Sequence, residues 1–98
     1  MSDFSDIIKS EKPTLVDFYA TWCSPCVTMG PILESVSKEI GSGAKILKVD
    51  IDKNMEAAKE YGVRSVPTLI LFKEGEIVWR QSGVTQKDLL VETIQKVL

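Results

Sequence analysis

Cys23-Ser24-Pro25-Cys26 holds both cysteines of the 98-residue chain, and no other pair of residues matches it in chemical reach. Two thiols spaced this way at the start of a helix can close a small disulfide ring. The unpaired amides and positive dipole end of that helix favour a thiolate at the first sulfur. Cys23 therefore reads as the nucleophile, at an exposed lip of the helix. Cys26, about one turn in and partly covered, is placed to attack a mixed disulfide held at Cys23. Pro25 has no N–H and a fixed φ, which stiffens the first turn.

The chain has no histidine, which excludes a histidine general base, a Cys/His nucleophilic pair and a histidine-ligated metal. Zinc wants four ligands, so a metal would require two chains to share it, and no metal is expected. An inert pair is the other alternative, but a C-x-x-C beside a βαβ pattern reads as a redox motif. Asp17 interrupts an otherwise apolar strand. Desolvation should raise its pKa and make it a proton acceptor for Cys26, the competing reading being an edge-exposed aspartate.

The elements that position these groups follow from pattern. Phe4, Ile7 and Ile8, preceded by Asp3 or Ser5, predict a short helix ending before Pro13. Thr14 to Ala20 predicts a strand covered on both faces. Met29, Ile32, Leu33, Val36 and Ile40 recur at three and four, predicting an amphipathic helix from Ser24 to about Ile40, kinked at Pro31 and closed by Gly41. Ala44 to Ile51 predicts a second strand. A helix over Asn54 to Tyr61 follows, capped by Asn54, with Gly62 past its end. Thr68 to Phe72 and Ile77 to Arg80 read as a hairpin around Lys73-Glu74-Gly75-Glu76. Thr85 and Asp88 form a capping-box variant opening the last helix, with Leu89, Leu90, Ile94, Val97 and Leu98 as its buried stripe. Met29, Phe72, Tyr61 and Trp79 are expected in the core or at its margin.

A chain of this length is one domain, residues 1–98, able to bury a single core. Twelve basic against 14 acidic side chains give a formal charge of −2, a poor match for nucleic acid or an anionic membrane. The start lacks a basic region followed by an apolar one, and no apolar run approaches the ~18 residues of a membrane span. A cytoplasmic protein is the expectation.

The chain resembles the thioredoxin family along nearly its whole length. The resemblance is carried by LVDFYATWCSPC at 15–26, Pro31-Ile32-Leu33, KVDIDKN at 48–54, YGVRSVPTLILFKEG at 61–75, and Gly83. It implies an α/β thioredoxin-like fold: a central mixed four-stranded sheet ordered second, first, third, fourth, flanked by helices on both faces, with room for only a stub of an N-terminal strand. It implies a protein disulfide reductase with no bound cofactor, recharged from NADPH through a flavin-dependent thioredoxin reductase. Disulfide-containing proteins would be its targets, and the protein a monomer.

The resemblance also implies Lys48 as partner of the Asp17 carboxylate, a solvated lysine being the alternative, and a cis peptide before Pro67. The Val66 backbone would then pair with an extended substrate segment. Trp22, Val66, Gly83 and Val84 would rim Cys23, although Trp22 could instead be core. Ser24 stands where most of the family has glycine, and Tyr19 where many members have tryptophan. Two rival readings remain within the fold: an oxidising or isomerising member, and a non-catalytic docking subunit.

Overall fold

In the computed structural model, which describes residues 4–98, the chain begins with a five-residue helix, α1 (Phe4–Ile8). Asp3, one of its two expected capping residues, lies outside the described residues. The elements that follow are β1 (Thr14–Tyr19), α2 (Ser24–Ile40), a 3₁₀ turn (Gly41–Gly43), β2 (Lys45–Asp50), α3 (Met55–Glu60), β3 (Thr68–Lys73), β4 (Glu76–Ser82) and α4 (Lys87–Gln95). Their order is the αβαβαββα expected from sequence. No N-terminal strand occurs among the described residues.

The sheet runs β2-β1-β3-β4, with β1 and β2 parallel and the other two pairs antiparallel. Burial explains why β1 and β3 take the centre: Leu15, Val16, Phe18 and Leu69 through Phe72 are all fully buried, so both faces of these strands need cover. One face carries Leu15, Leu69 and Leu71 against Met29, Leu33 and Val36 of α2 and Leu90, Val91 and Ile94 of α4. The other carries Val16, Phe18, Ile70 and Phe72 under α1 and α3. There Phe4 meets Phe18, Tyr61 and Phe72 edge-on at 5.5–5.9 Å.

α2 continues through Pro31, with Met29, Leu33 and Val36 of its apolar stripe buried and Ile32 and Ile40 half-buried, and ends at Gly41, whose N–H donates to the Ser37 carbonyl. The β3–β4 hairpin closes through Glu74 and Gly75, both at positive φ (53° and 85°), with Lys73 paired to Glu76. The register shifts between Leu71 and Phe72, which face Trp79 and Ile77, leaving Val78 as a bulge.

Two helix starts differ from expectation. Asn54 occupies the N-cap of α3 but its side chain caps nothing; the amide donates instead to the Asp50 carbonyl at 3.0 Å. α4 starts later than a Thr85 cap implies, with Gln86 at the N-cap and no capping side chain. Thr85 is buried, its hydroxyl donating to the Gly83 carbonyl (3.1 Å) and its N–H to the Met29 sulfur (3.4 Å). With the helix so placed, Leu90, Val91 and Ile94 make the buried stripe, while Leu89 and Leu98 face solvent.

Candidate active site

β1 ends and α2 begins within four residues, and this junction presents the dithiol. The Cys23 N–H donates to the Ala20 carbonyl (3.2 Å), a tight turn that sets Cys23 in extended conformation as the N-cap of α2. Its sulfur then takes the cap role that a serine or aspartate oxygen usually fills, accepting the Cys26 N–H at 3.2 Å. Cys23 and Cys26 are joined as a disulfide with Cα atoms 5.3 Å apart. Ser24 and Pro25, between them, are exposed.

Burial corrects one expectation. Cys23 is only 5% exposed and Cys26 4%, so accessibility alone does not tell the two sulfurs apart. Position does: Cys23 receives the helix amide and the dipole end of α2, and its sulfur lies 3.6 Å from the Val66 carbonyl oxygen. Ala20, Tyr19, Ile51 and Val66 complete an apolar cluster around the pair.

Asp17 is fully buried, at 0% exposure, and neither carboxylate oxygen has a hydrogen-bond partner. Desolvation pushes its pKa up from 3.8 to about 6, against a smaller lowering by the Lys48 charge. By the strand's period of two, Asp17 shares the face of Leu15, which α2 covers. The edge-exposed alternative is thereby removed. Lys48 faces Asp17 across the β1–β2 register but makes no ion pair with it; the residue is exposed, its ammonium 4.7 Å from the centre of the Tyr19 ring. Its influence on the carboxylate is therefore long-range, and its solvated, aromatic-stacked state fits the cost of burying an ammonium.

The rim residues come from three separate stretches. Trp22 is 69% exposed, which removes the core alternative, and its indole N–H donates to Asp52 Oδ2 at 2.9 Å. The Val66–Pro67 peptide is cis, and the Pro67 carbonyl accepts the Gly83 N–H at 2.8 Å, so the two loops are locked together beside the dithiol. Val84 is exposed next to Gly83. Sequence reasoning missed Asp52. Its main-chain N–H donates to Asp50 Oδ1 (2.8 Å), fixing the turn after β2 that holds the Trp22 indole. The acidic alternation Asp50-Ile51-Asp52 at the end of a strand was its one visible signal.

No described helix is long and apolar enough to cross a membrane. The family model for thioredoxin matches residues 1–96. A thioredoxin of Rickettsia bellii is 48% identical over 89 residues, covering 91% of this chain and 85% of the relative. One from Bacillus subtilis is 45% identical over 87 residues, covering 89% and 84%. Among solved structures, a mutant thioredoxin from Halobacterium salinarum superposes with a TM-score of 0.88 at 36% identity, covering 99% of this chain and 84% of that one. Oxidised mitochondrial thioredoxin 3 from Saccharomyces cerevisiae gives 0.85 at 32% identity, covering 95% and 86%. With its Cys-x-x-Cys pair at the β1–α2 junction, this chain belongs to the thioredoxin family and is a thiol–disulfide oxidoreductase acting by dithiol–disulfide exchange.

Proposed function

We propose that the reduced protein opens disulfides in target proteins with Cys23 as nucleophile and Cys26 as resolving thiol. The Cys23 thiolate attacks one sulfur of the target disulfide; a Cys23–target bond forms and the target's other sulfur leaves as thiolate, taking a proton from solvent. Cys26 gives its proton to Asp17, whose pKa, raised by burial to about 6, leaves it ionised at pH 7 yet more basic than an ordinary carboxylate. The Cys26 thiolate attacks Cys23 Sγ, the second target thiolate leaves, and the protein ends as the Cys23–Cys26 disulfide.

The Val66 backbone, beside Cys23 and just before the cis Pro67, is the docking edge for an extended target segment, with Trp22, Gly83 and Val84 as its rim. Recharging requires two electrons and two protons per cycle. A flavin-dependent thioredoxin reductase using NADPH fits this need, with no cofactor resident on the chain. A cytoplasmic monomer maintaining thiol balance fits a chain whose dithiol must be kept reduced.

The observation that carries this reading is the Cys23 sulfur at the α2 N-cap, accepting the Cys26 amide, within 3.6 Å of the Val66 carbonyl. Insulin reduction driven by NADPH and a thioredoxin reductase tests it. The protein should catalyse the reaction and Cys23→Ser should abolish it. A docking subunit would show no activity in either form, and an oxidising member would be a poor reductant when titrated against glutathione.

A further inference from the structure

Arg80 lies on β4, away from the dithiol, yet its guanidinium reaches the far side of the loop that carries Val66. Nη1 donates to the Tyr61 carbonyl and Nη2 to the Gly62 carbonyl, the latter at 2.8 Å. These are carbonyls at the C-terminal end of α3, where a cation is favoured by the helix dipole. Gly62 turns the chain with φ +65°, and a Cβ there would sit 3.9 Å from Arg80 Nη2. The loop then has few anchors before the site. The Val63 N–H donates to the Ala58 carbonyl, and the Ser65 carbonyl accepts the Thr68 hydroxyl at 2.6 Å. Three residues past Arg80, Gly83 donates to the Pro67 carbonyl. β4 and the residue that follows it thus grip both ends of the Tyr61–Pro67 segment, Arg80 at its start and Gly83 at its finish.

We infer that Arg80 is a positioning residue for substrate docking: its two-carbonyl fork fixes the Tyr61–Gly62 turn and thereby the placement of the Val66 backbone opposite Cys23. The inference rests on the reading of Val66 as the docking edge. A planar guanidinium suits the task because it presents two parallel donors at fixed spacing, whereas a lysine ammonium is a single point that serves two carbonyls poorly. The effect is selective. A protein target that pairs with the Val66 backbone depends on Arg80, while a small aryl disulfide that needs only the Cys23 thiolate does not.

Single-turnover oxidation of the pre-reduced protein by insulin, and separately by dithionitrobenzoate, reads this split. Arg80→Ala should slow the insulin reaction about fivefold and leave the dithionitrobenzoate reaction unchanged. Arg80→Lys should recover part of the loss, remaining about twofold slow. If Arg80→Ala does not fold, the same comparison on Arg80→Lys decides. A parental insulin rate, or an equal loss on both disulfides, would overturn the inference. Should the parent itself fail to reduce insulin, the reductase reading falls, and amide exchange still tests Arg80: exchange at Gly62 and Val63, whose N–H groups donate to the Lys59 and Ala58 carbonyls, must quicken in the variants while α4 stays protected. Unchanged exchange there rejects the role.

Discussion

At the scale of single residues, the strongest energetic statement concerns Asp17. Its folded pKa is near 6, while an unfolded aspartate titrates near 3.9. Between those values the native state keeps a proton that the unfolded chain has released. Stability from this group is therefore full below about pH 4, falls as pH rises, and is lost above about pH 6, by on the order of 3 kcal/mol. Asp17→Asn cannot ionise. Urea melts from pH 4 to 8 should show the parent losing stability relative to the variant across that window, with the variant at least as stable at pH 8. Parallel curves would mean that the carboxylate is solvated. Ser24 allows a second prediction. Its hydroxyl, next to Cys23 at the helix start, can donate to the thiolate, and only the reduced form benefits. Glycine has no such donor. Glutathione equilibration should place Ser24→Gly about 10 to 20 mV more negative than the parent; an equal or less negative value rejects the bond. The place of Cys23 and Cys26 at the start of α2 was legible because spacing and helix position are local properties. Their near-equal burial was not, since it depends on Val66 and Ile51 arriving from distant stretches.

Among the elements, the β3–β4 hairpin carries a local conflict. Its two turn residues both sit at positive φ, which Gly75 accepts and Glu74 does not, because a Cβ there crowds the carbonyl. The main-chain contacts of the turn, Glu74 N–H to the Ser10 carbonyl and Gly75 N–H to the Ile8 carbonyl, do not depend on the Glu74 side chain. Glu74→Asn, giving the Asn-Gly pair such turns prefer, should stabilise the protein by about 0.5 to 1 kcal/mol, seen as a higher urea midpoint with unchanged disulfide reduction. A lower midpoint would show that Glu74 makes a compensating contact. Helix and strand existence followed from periodicity, but the helix starts at Asn54 and Thr85 did not. In both cases the cap-type side chain found a partner elsewhere, the Asp50 carbonyl for one and the Gly83 carbonyl for the other. Local pattern sees a capping residue; the loop that competes for it is invisible until the chain folds.

For the whole molecule, the two-sided core explains why the site is where it is. β1 and β3 fill the centre of the sheet, both faces are covered by helices, and β1 hands directly into α2 at one edge of that stack. The loops that meet at this edge, those of Trp22, Ile51, Val66 and Gly83, surround the dithiol. Composition and periodicity reached a mixed sheet between helices. The strand order and the cis Pro67 came from family resemblance, because no local pattern encodes which distant strands pair. The far-side grip of Arg80 escaped both, since an arginine on an exposed edge strand looks like any solvated charge. The central claim, that this architecture makes Cys23 the attacking sulfur and Cys26 the resolving one, is tested most directly by trapping. Reduced Cys26→Ser and Cys23→Ser proteins, each mixed with oxidised insulin and quenched with acid, should differ sharply: Cys26→Ser accumulates a mixed disulfide through Cys23, and Cys23→Ser yields little. Equal trapping by the two variants, or trapping through Cys26 alone, would contradict the account.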